Sequence, residues 1–195
     1  MAVMDTSFSA LLGLIRETIA SPQDAARLVL RAALPMQTRW EALALVILLS
    51  AILSQAAAFI MAPDGGGAAG PVQASMIQAV ALGLTIFGMH VIGRAMGGQG
   101  NLADAVLLVA WLQGVMVAAQ ALQVVALLIL PPVSVLIGVL SIVLFLWLLT
   151  NFVAVLHGFE SLGKVFAAII MSAFGLAVVL VIILNILGLS PQMMM

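Results

Sequence analysis

Two long stretches without a charged side chain constrain this sequence more than any other feature. The first runs from Gly65 to Gly93 and the second from Ala105 to Phe159. A helix crosses a bilayer with roughly 20 apolar residues, so the second stretch is too long for one crossing. Overall, 65% of the residues are hydrophobic and 7% are charged, against about 25% charged in an ordinary soluble domain. The composition predicts a helical membrane protein.

Turn signals divide the apolar sequence into five predicted spans. Glycine-rich polar breaks lie at 63–67 and 93–104. Pro131 and Pro132 interrupt the longer stretch, because proline has no amide hydrogen to donate and disfavours helix in the residue before it. We therefore expect an all-α bundle of five transmembrane helices within residues 40–195. The predicted spans are residues 41–61, 72–93, 104–129, 133–156 and 165–187.

Residues 1–39 form a predicted N-terminal segment that carries charge at regular intervals. Apolar residues recur at helical spacing from Phe8 to Ile19, which indicates an amphipathic helix. Ser21 and Pro22 are typical of the start of a second helix, with Ser21 as its cap. Two arrangements are open: the segment lies on the bilayer and is anchored by its arginines, or it packs under the bundle.

The basic residues predict the orientation of the chain. Four precede the first span, one follows the second and one follows the fourth, so all six share one side: Arg16, Arg27, Arg31, Arg39, Arg94 and Lys164. Cytoplasmic loops carry an excess of lysine and arginine. The N-terminus is therefore predicted to be cytoplasmic and the C-terminus to lie outside.

The polar side chains within the predicted spans are neutral. Gln113 and Gln120 are seven residues apart on one face of the third span, and Asn151 lies in the fourth. Ionisable groups at membrane depth, which proton relays and voltage sensors use, do not occur at the centre of any span. The amides either bond between helices or line a polar path for a solute.

His90 and Arg94 lie four residues apart at the end of the second span, so they share one helix face. They could bind a lipid phosphate, a protein carboxylate or Asp104, or they are an interfacial histidine and an arginine that extends to the headgroups. With the N-terminal arginines they form the predicted contact surface for lipid or a partner: Arg16, Arg27, Arg31, His90 and Arg94.

Several chemical functions have no support in the sequence. There is no cysteine, which excludes disulfides, thiolate metal sites and cysteine nucleophiles. His157 and Glu160 fall in a predicted polar turn without metal-ligand spacing, and no nucleotide-binding or hydrolase motif occurs. The net charge of −1 gives no indication of nucleic-acid binding. We expect no catalytic residue, no metal and no cofactor.

The layout of residues 20–188 resembles the Yip family of Ypt/Rab-interacting membrane proteins. Five features carry the resemblance, in chain order: Ser-Pro-Gln-Asp-Ala-Ala from Ser21 followed by Trp40, the loop Gly93–Gly100, the helix start Leu102–Trp111, the Pro131–Pro132 break, and His157–Gly158. The resemblance implies five membrane helices and a cytoplasmic N-terminus. It supplies no catalytic residues.

The resemblance also limits the expected function. Eukaryotic relatives act in vesicle traffic and bind Rab GTPases, whereas the short N-terminal region and Ala/Leu/Val-rich composition indicate the bacterial branch and its inner membrane. We expect a non-enzymatic protein that organises membrane lipid, partner membrane proteins or a second copy of itself. The alternatives are a transporter or channel for a neutral or lipidic solute that uses Gln113, Gln120 and Asn151, and an accessory subunit of a larger membrane complex.

Overall fold

The computed structural model describes residues 8–62 and 70–188, and these ranges contain α-helices and no β-strand. The helices are α1 (Phe8–Ala20), α2 (Pro22–Arg31), α3 (Met36–Met61), α4 (Pro71–Ala95), α5 (Leu102–Ile129), α6 (Pro131–His157) and α7 (Leu162–Ile186). The last five are long and apolar enough to cross a membrane. The predicted all-α fold with five membrane helices is confirmed. The predicted loop at 63–67 and the Met193–Met195 tail lie outside the described residues.

Most helix ends agree with the predicted spans to within three residues, but α3 begins at Met36 rather than near residue 41. Pro35, in an extended conformation, precedes this helix, and the charge of Arg39 in its second turn is compensated by a neighbouring carboxylate, described below. The charge of Arg39 therefore does not prevent α3 from beginning before residue 41. Helix α6 begins at Pro131 itself, because proline suits the first turn, where its missing amide is not needed.

Local capping explains the other connections. The Asn101 side chain accepts a hydrogen bond from the Asp104 amide at 2.8 Å and caps α5. Gly158 ends α6 with a φ of 72°, a left-handed conformation that glycine adopts at little cost. The prediction that Ser21 caps α2 is wrong, because its side chain makes no capping bond and Pro22 begins the helix.

The buried core lies in one half of the bundle. It includes α5 from Ala105 to Val115 and α6 from Leu148 to His157, and α4 contributes Leu82 to Gly93. This half adjoins α1, α2 and the loops at 96–101 and 158–161, and all six Lys and Arg residues lie at its end. We call it the basic end. Most side chains in the opposite half are exposed or half-buried.

The two N-terminal helices pack differently. Helix α2 packs against α5 and α6, with Ala25 and Ala26 fully buried, so it lies under the bundle, as one of the two open arrangements expects. Helix α1 is attached through Thr18, whose hydroxyl accepts a bond from Trp111 Nε1 at 3.1 Å. Other apolar residues of α1 remain close to half-exposed, namely Leu11, Leu12 and Ile19.

Candidate functional site at the basic end

A largely buried ion pair joins the starts of α3 and α5. Arg39 Nη1 lies 2.7 Å from Asp104 Oδ1, and the two side chains are 10% and 28% exposed. Arg39 Nε also donates to the Leu34 carbonyl at 2.9 Å, and Asn101 Nδ2 donates to the second Asp104 oxygen at 2.7 Å. Asp104, one of the partners considered for Arg94, therefore pairs with Arg39 instead.

His157 joins α4, α6 and the loop between α4 and α5. Its Nδ1 accepts a hydrogen bond from the Gly100 amide at 3.1 Å, so the neutral ring carries its proton on Nε2. Nε2 then donates to the Met89 carbonyl at 2.9 Å. The prediction of a polar turn at His157 is wrong: it is the last residue of α6 and 4% exposed.

Three glycines make the close approach to His157 possible. A Cβ atom built on Gly93 or Gly98 would overlap the His157 side chain, and one on Gly100 would lie 2.8 Å from its Cε1. Gly93 lies inside α4, in agreement with the predicted span 72–93. The glycine-rich sequence that predicts a turn therefore also provides the surface on which the imidazole packs.

The amides of α5 bond to α3. Gln113 Nε2 donates to Ser50 Oγ at 2.9 Å, and Gln120 Nε2 donates to Ser54 Oγ at 3.0 Å. Asn151 serves a different helix: its Oδ1 accepts from Gln23 Nε2 of α2 at 3.1 Å. These contacts favour the interhelical role over a shared polar path.

The predicted contact residues lie on three helices of the basic end. Arg16, Arg31 and Arg94 are exposed and form no ion pair with any described residue. Arg27 pairs with Asp24 at 2.9 Å on the surface. His90 is half-buried, and its Nδ1 is buried without a hydrogen-bond partner in the described chain.

The structure does not bring these five residues into one cluster. No hydrogen bond or ion pair among the residues of 8–62 and 70–188 joins them to one another. At a spacing of four residues, His90 and Arg94 share a face of α4, and Arg27 and Arg31 share a face of α2. Within the same ranges, no group of three His, Asp or Glu residues is placed to hold a metal ion.

A groove of about 370 Å³ lies between α3 and α4 near the basic end. Its α3 wall contains Trp40, Leu43, Ala44 and Ile47, its α4 wall contains Ala79, Gly83, Ile86 and Phe87, and Leu102 of α5 also lines it. At helical spacing, the α4 wall continues into His90 and then Arg94. The groove is therefore apolar along its length and has polar residues beyond one end.

A helical bundle with five apolar helices and its polar bonds concentrated at one end defines a multispanning integral membrane protein. The sequence model of the Yip1 domain matches residues 16–183. The chain belongs to the Yip1 domain family, which confirms the resemblance noted from its layout. No curated protein and no solved structure matches the chain.

Proposed function

We propose that this Yip-type membrane protein is a non-enzymatic organiser of the bilayer that gathers anionic phospholipid around its basic end. The observation that carries the proposal is the presence there of three exposed arginines without an ion pair among the described residues, Arg16, Arg31 and Arg94. Each basic residue near an anionic membrane surface contributes about 1 kcal/mol, so three contribute about 3 kcal/mol together.

Carboxylates at the same end do not cancel these charges fully. Asp24 is paired with Arg27, Asp104 is paired with Arg39, and the Glu41 carboxylate accepts a bond from Gln37 at 2.7 Å. Glu17 and Glu160 are also exposed at this end and form no ion pair with any described residue, so the charges of the three arginines are offset only in part. Electrostatic attraction to lipid phosphate is open to all three arginines.

The exposed side of α1 supports contact with the interface. Leu11, Leu12 and Ile19 are 45–48% exposed, while Arg16 lies on the same helix. An apolar stripe with an arginine beside it suits a helix at the boundary between headgroups and acyl chains. Helix α1 thus adds apolar contact to the electrostatic attraction.

The orientation is part of the proposal. The basic end faces the cytoplasm, because all six Lys and Arg residues lie at that end. The short N-terminal region and the Ala/Leu/Val-rich composition support a bacterial inner membrane. Five spans then place the C-terminus outside. A periplasmic-active reporter fused after Met195 should be active and a cytoplasm-active one inactive, and the reverse pattern would overturn the orientation.

Transport is not supported by a specific observation. The amides that a solute path would need are bonded to neighbouring helices, Gln113 and Gln120 to α3 and Asn151 to α2. Their positions support a structural role. We likewise propose no enzymatic activity, because the half-buried Asp104 and the buried His157 are both engaged in bonds that hold helices together.

A protein partner is a second candidate, and α7 favours it. Val165 is the one described residue of α7 that is fully buried, so most of the surface of this helix faces away from the chain. Other membrane proteins or a second copy could cover it. Co-purification in mild detergent followed by mass measurement tests this, and a monomer without partners would contradict it.

The lipid proposal is tested by extracting the protein from its membrane into polymer-bounded discs and measuring the ratio of anionic to zwitterionic phospholipid. The triple variant Arg16→Gln/Arg31→Gln/Arg94→Gln should lose the enrichment of anionic lipid. Arg27→Gln is the matched control, because Asp24 already compensates the charge of Arg27. The proposal falls if the triple variant keeps the wild-type ratio, or if Arg27→Gln alone lowers it as much.

A further inference from the structure

The groove between α3 and α4 has the shape of a site for an aliphatic chain. Leu43, Ile47, Ile86 and Phe87 provide apolar walls, and at Gly83 a Cβ atom would meet nothing within 4 Å. From Trp40 to Ile47 the groove follows α3 for about 10 Å at 1.5 Å per residue. This is most of one leaflet of a hydrocarbon core about 30 Å thick.

The end of the groove nearest the basic end is chemically different. Trp40 is 49% exposed there, as amphipathic rings are at the level of the headgroups. One turn beyond Ile86 and Phe87 on α4 lies His90, whose buried Nδ1 has no partner within the described ranges. Arg94 follows one turn later, exposed and without an ion pair among those residues.

We propose that this groove binds one phospholipid with an anionic headgroup. An acyl chain lies between α3 and α4, the phosphate accepts hydrogen bonds from His90 Nδ1–H and the Arg94 guanidinium, and Trp40 borders the glycerol region. A buried ring nitrogen without a hydrogen-bond partner is unfavourable; in the tautomer that carries its proton on Nδ1, a phosphate oxygen supplies the partner. The site deepens the lipid binding proposed above and depends on it for the choice of an anionic lipid.

A second groove in the bundle lacks the features that favour the α3–α4 groove as the lipid site. It has a volume of about 300 Å³ between α4, α6 and α7, and its hydroxyls, Thr85 and Ser172, bond to carbonyls of their own helices. It has no buried unpartnered donor among the described residues. Nothing there selects a headgroup, so the proposal is confined to the α3–α4 groove.

The test fills the groove. Gly83→Leu places a side chain in the open space that the acyl chain would occupy, and Gly175→Leu is the matched control on the exposed surface of α7, where a Cβ also meets nothing within 4 Å. Native mass spectrometry in detergent counts bound dioleoyl phosphatidylglycerol. Displacing two methylene groups lowers affinity by about tenfold, so we expect Gly83→Leu to lose the one-lipid adduct and Gly175→Leu to keep it.

A cysteine provides a second measurement that does not rely on a bulky substitution. The chain has no cysteine, so Gly83→Cys introduces a single thiol in the groove. Its modification by N-ethylmaleimide should slow when dioleoyl phosphatidylglycerol is added, but not with dihexanoyl phosphatidylglycerol or inorganic phosphate, which lack a long chain. Gly175→Cys should react at the same rate in all cases. An unchanged rate at Gly83→Cys with the long-chain lipid would overturn the site.

The headgroup contacts are tested separately. Arg94→Gln and His90→Leu should each reduce the preference for phosphatidylglycerol over phosphatidylcholine, whereas Arg27→Gln, whose charge Asp24 already compensates, should not. If Gly83→Leu keeps its lipid adduct while the triple arginine variant loses anionic enrichment, the groove site is wrong and the proposed function stands. If the triple variant keeps its enrichment while Gly83→Leu loses the adduct, the chain-binding groove stands without the broader function.

Discussion

Replacing Gly93 by alanine should destabilise the protein through a single contact, the one between α4 and the His157 ring. The new Cβ would overlap that ring. The ring has no free direction in which to move, because Nε2 is bonded to the Met89 carbonyl and Nδ1 to the Gly100 amide, and Phe159 stacks against it with ring centroids 5.6 Å apart. Relief therefore requires a helix shift or the loss of both hydrogen bonds.

The size of the effect follows from these two routes. Overpacking in a close-packed core costs about 1–3 kcal/mol, and two lost hydrogen bonds cost about 0.5–1.5 kcal/mol each. Either route costs about 1–3 kcal/mol, and we expect a loss of that size. For a chain of about 150–250 residues, each kcal/mol lowers Tm by about 2–4 °C, so Tm should fall by about 2–12 °C.

The measurement is thermal unfolding in detergent followed by intrinsic fluorescence. Gly83→Ala is the control on the same helix: its Cβ meets nothing within 4 Å, and alanine is favoured over glycine in a helix by about 1 kcal/mol. Its Tm should stay the same or rise. The two variants thus make the same glycine-to-alanine change on α4, but Tm is expected to fall for Gly93→Ala and to stay the same or rise for Gly83→Ala.

A double variant tests the mechanism rather than the magnitude. His157→Ala removes the imidazole ring, so the Cβ atom introduced by Gly93→Ala no longer overlaps it. The two changes together should be less destabilising than their sum by about 0.5–3 kcal/mol, the range found for residues in contact. Additive effects would show that Gly93 acts through something other than the His157 ring, and the reasoning would be refuted.

Two further predictions concern polar bonds between helices. Asp104→Ala should lower Tm far more than Asp24→Ala, because it leaves the Arg39 guanidinium buried and unpaired at a cost of about 3–5 kcal/mol, whereas a surface pair contributes about 0–1 kcal/mol; equal shifts would contradict this. Gln113→Leu should destabilise by about 0.6–1.7 kcal/mol, and adding Ser50→Ala should cost little more, since their shared bond is already lost; full additivity in the unfolding measurements would contradict it.

The number of membrane helices and their approximate limits were predictable from the sequence, because uncharged length and turn residues decide them. The helix starts at Leu102 and Pro131 illustrate this, since each follows a local signal for capping or for the first turn. These signals act between residues close in the chain. They do not depend on which helices become neighbours.

The partners of the buried polar groups were not predictable in the same way. Asp104 is 65 residues from Arg39 and His157 is 68 residues from Met89, and nothing in the spacing of either pair indicates a contact. From the sequence, Arg39 counts only among the basic residues that predict the orientation, and His157 is predicted to be part of a turn. The sequence shows Gly93, Gly98 and Gly100, but a glycine indicates a turn as readily as the close packing of another side chain against the backbone.

The position of the core has a consequence for function. Every membrane helix is apolar along its length, so hydrophobicity alone gives no preference for one half of the bundle, and inside a bilayer it does not drive helices together. At the basic end, Arg39–Asp104, the His157 contacts and Gln23–Asn151 supply that drive. Arg39–Asp104 holds the start of α3 and His157–Met89 holds the end of α4, so these bonds fix the two helix ends that border the mouth of the α3–α4 groove. The groove proposed to bind a lipid therefore opens at the end of the bundle where polar bonds between helices decide the packing.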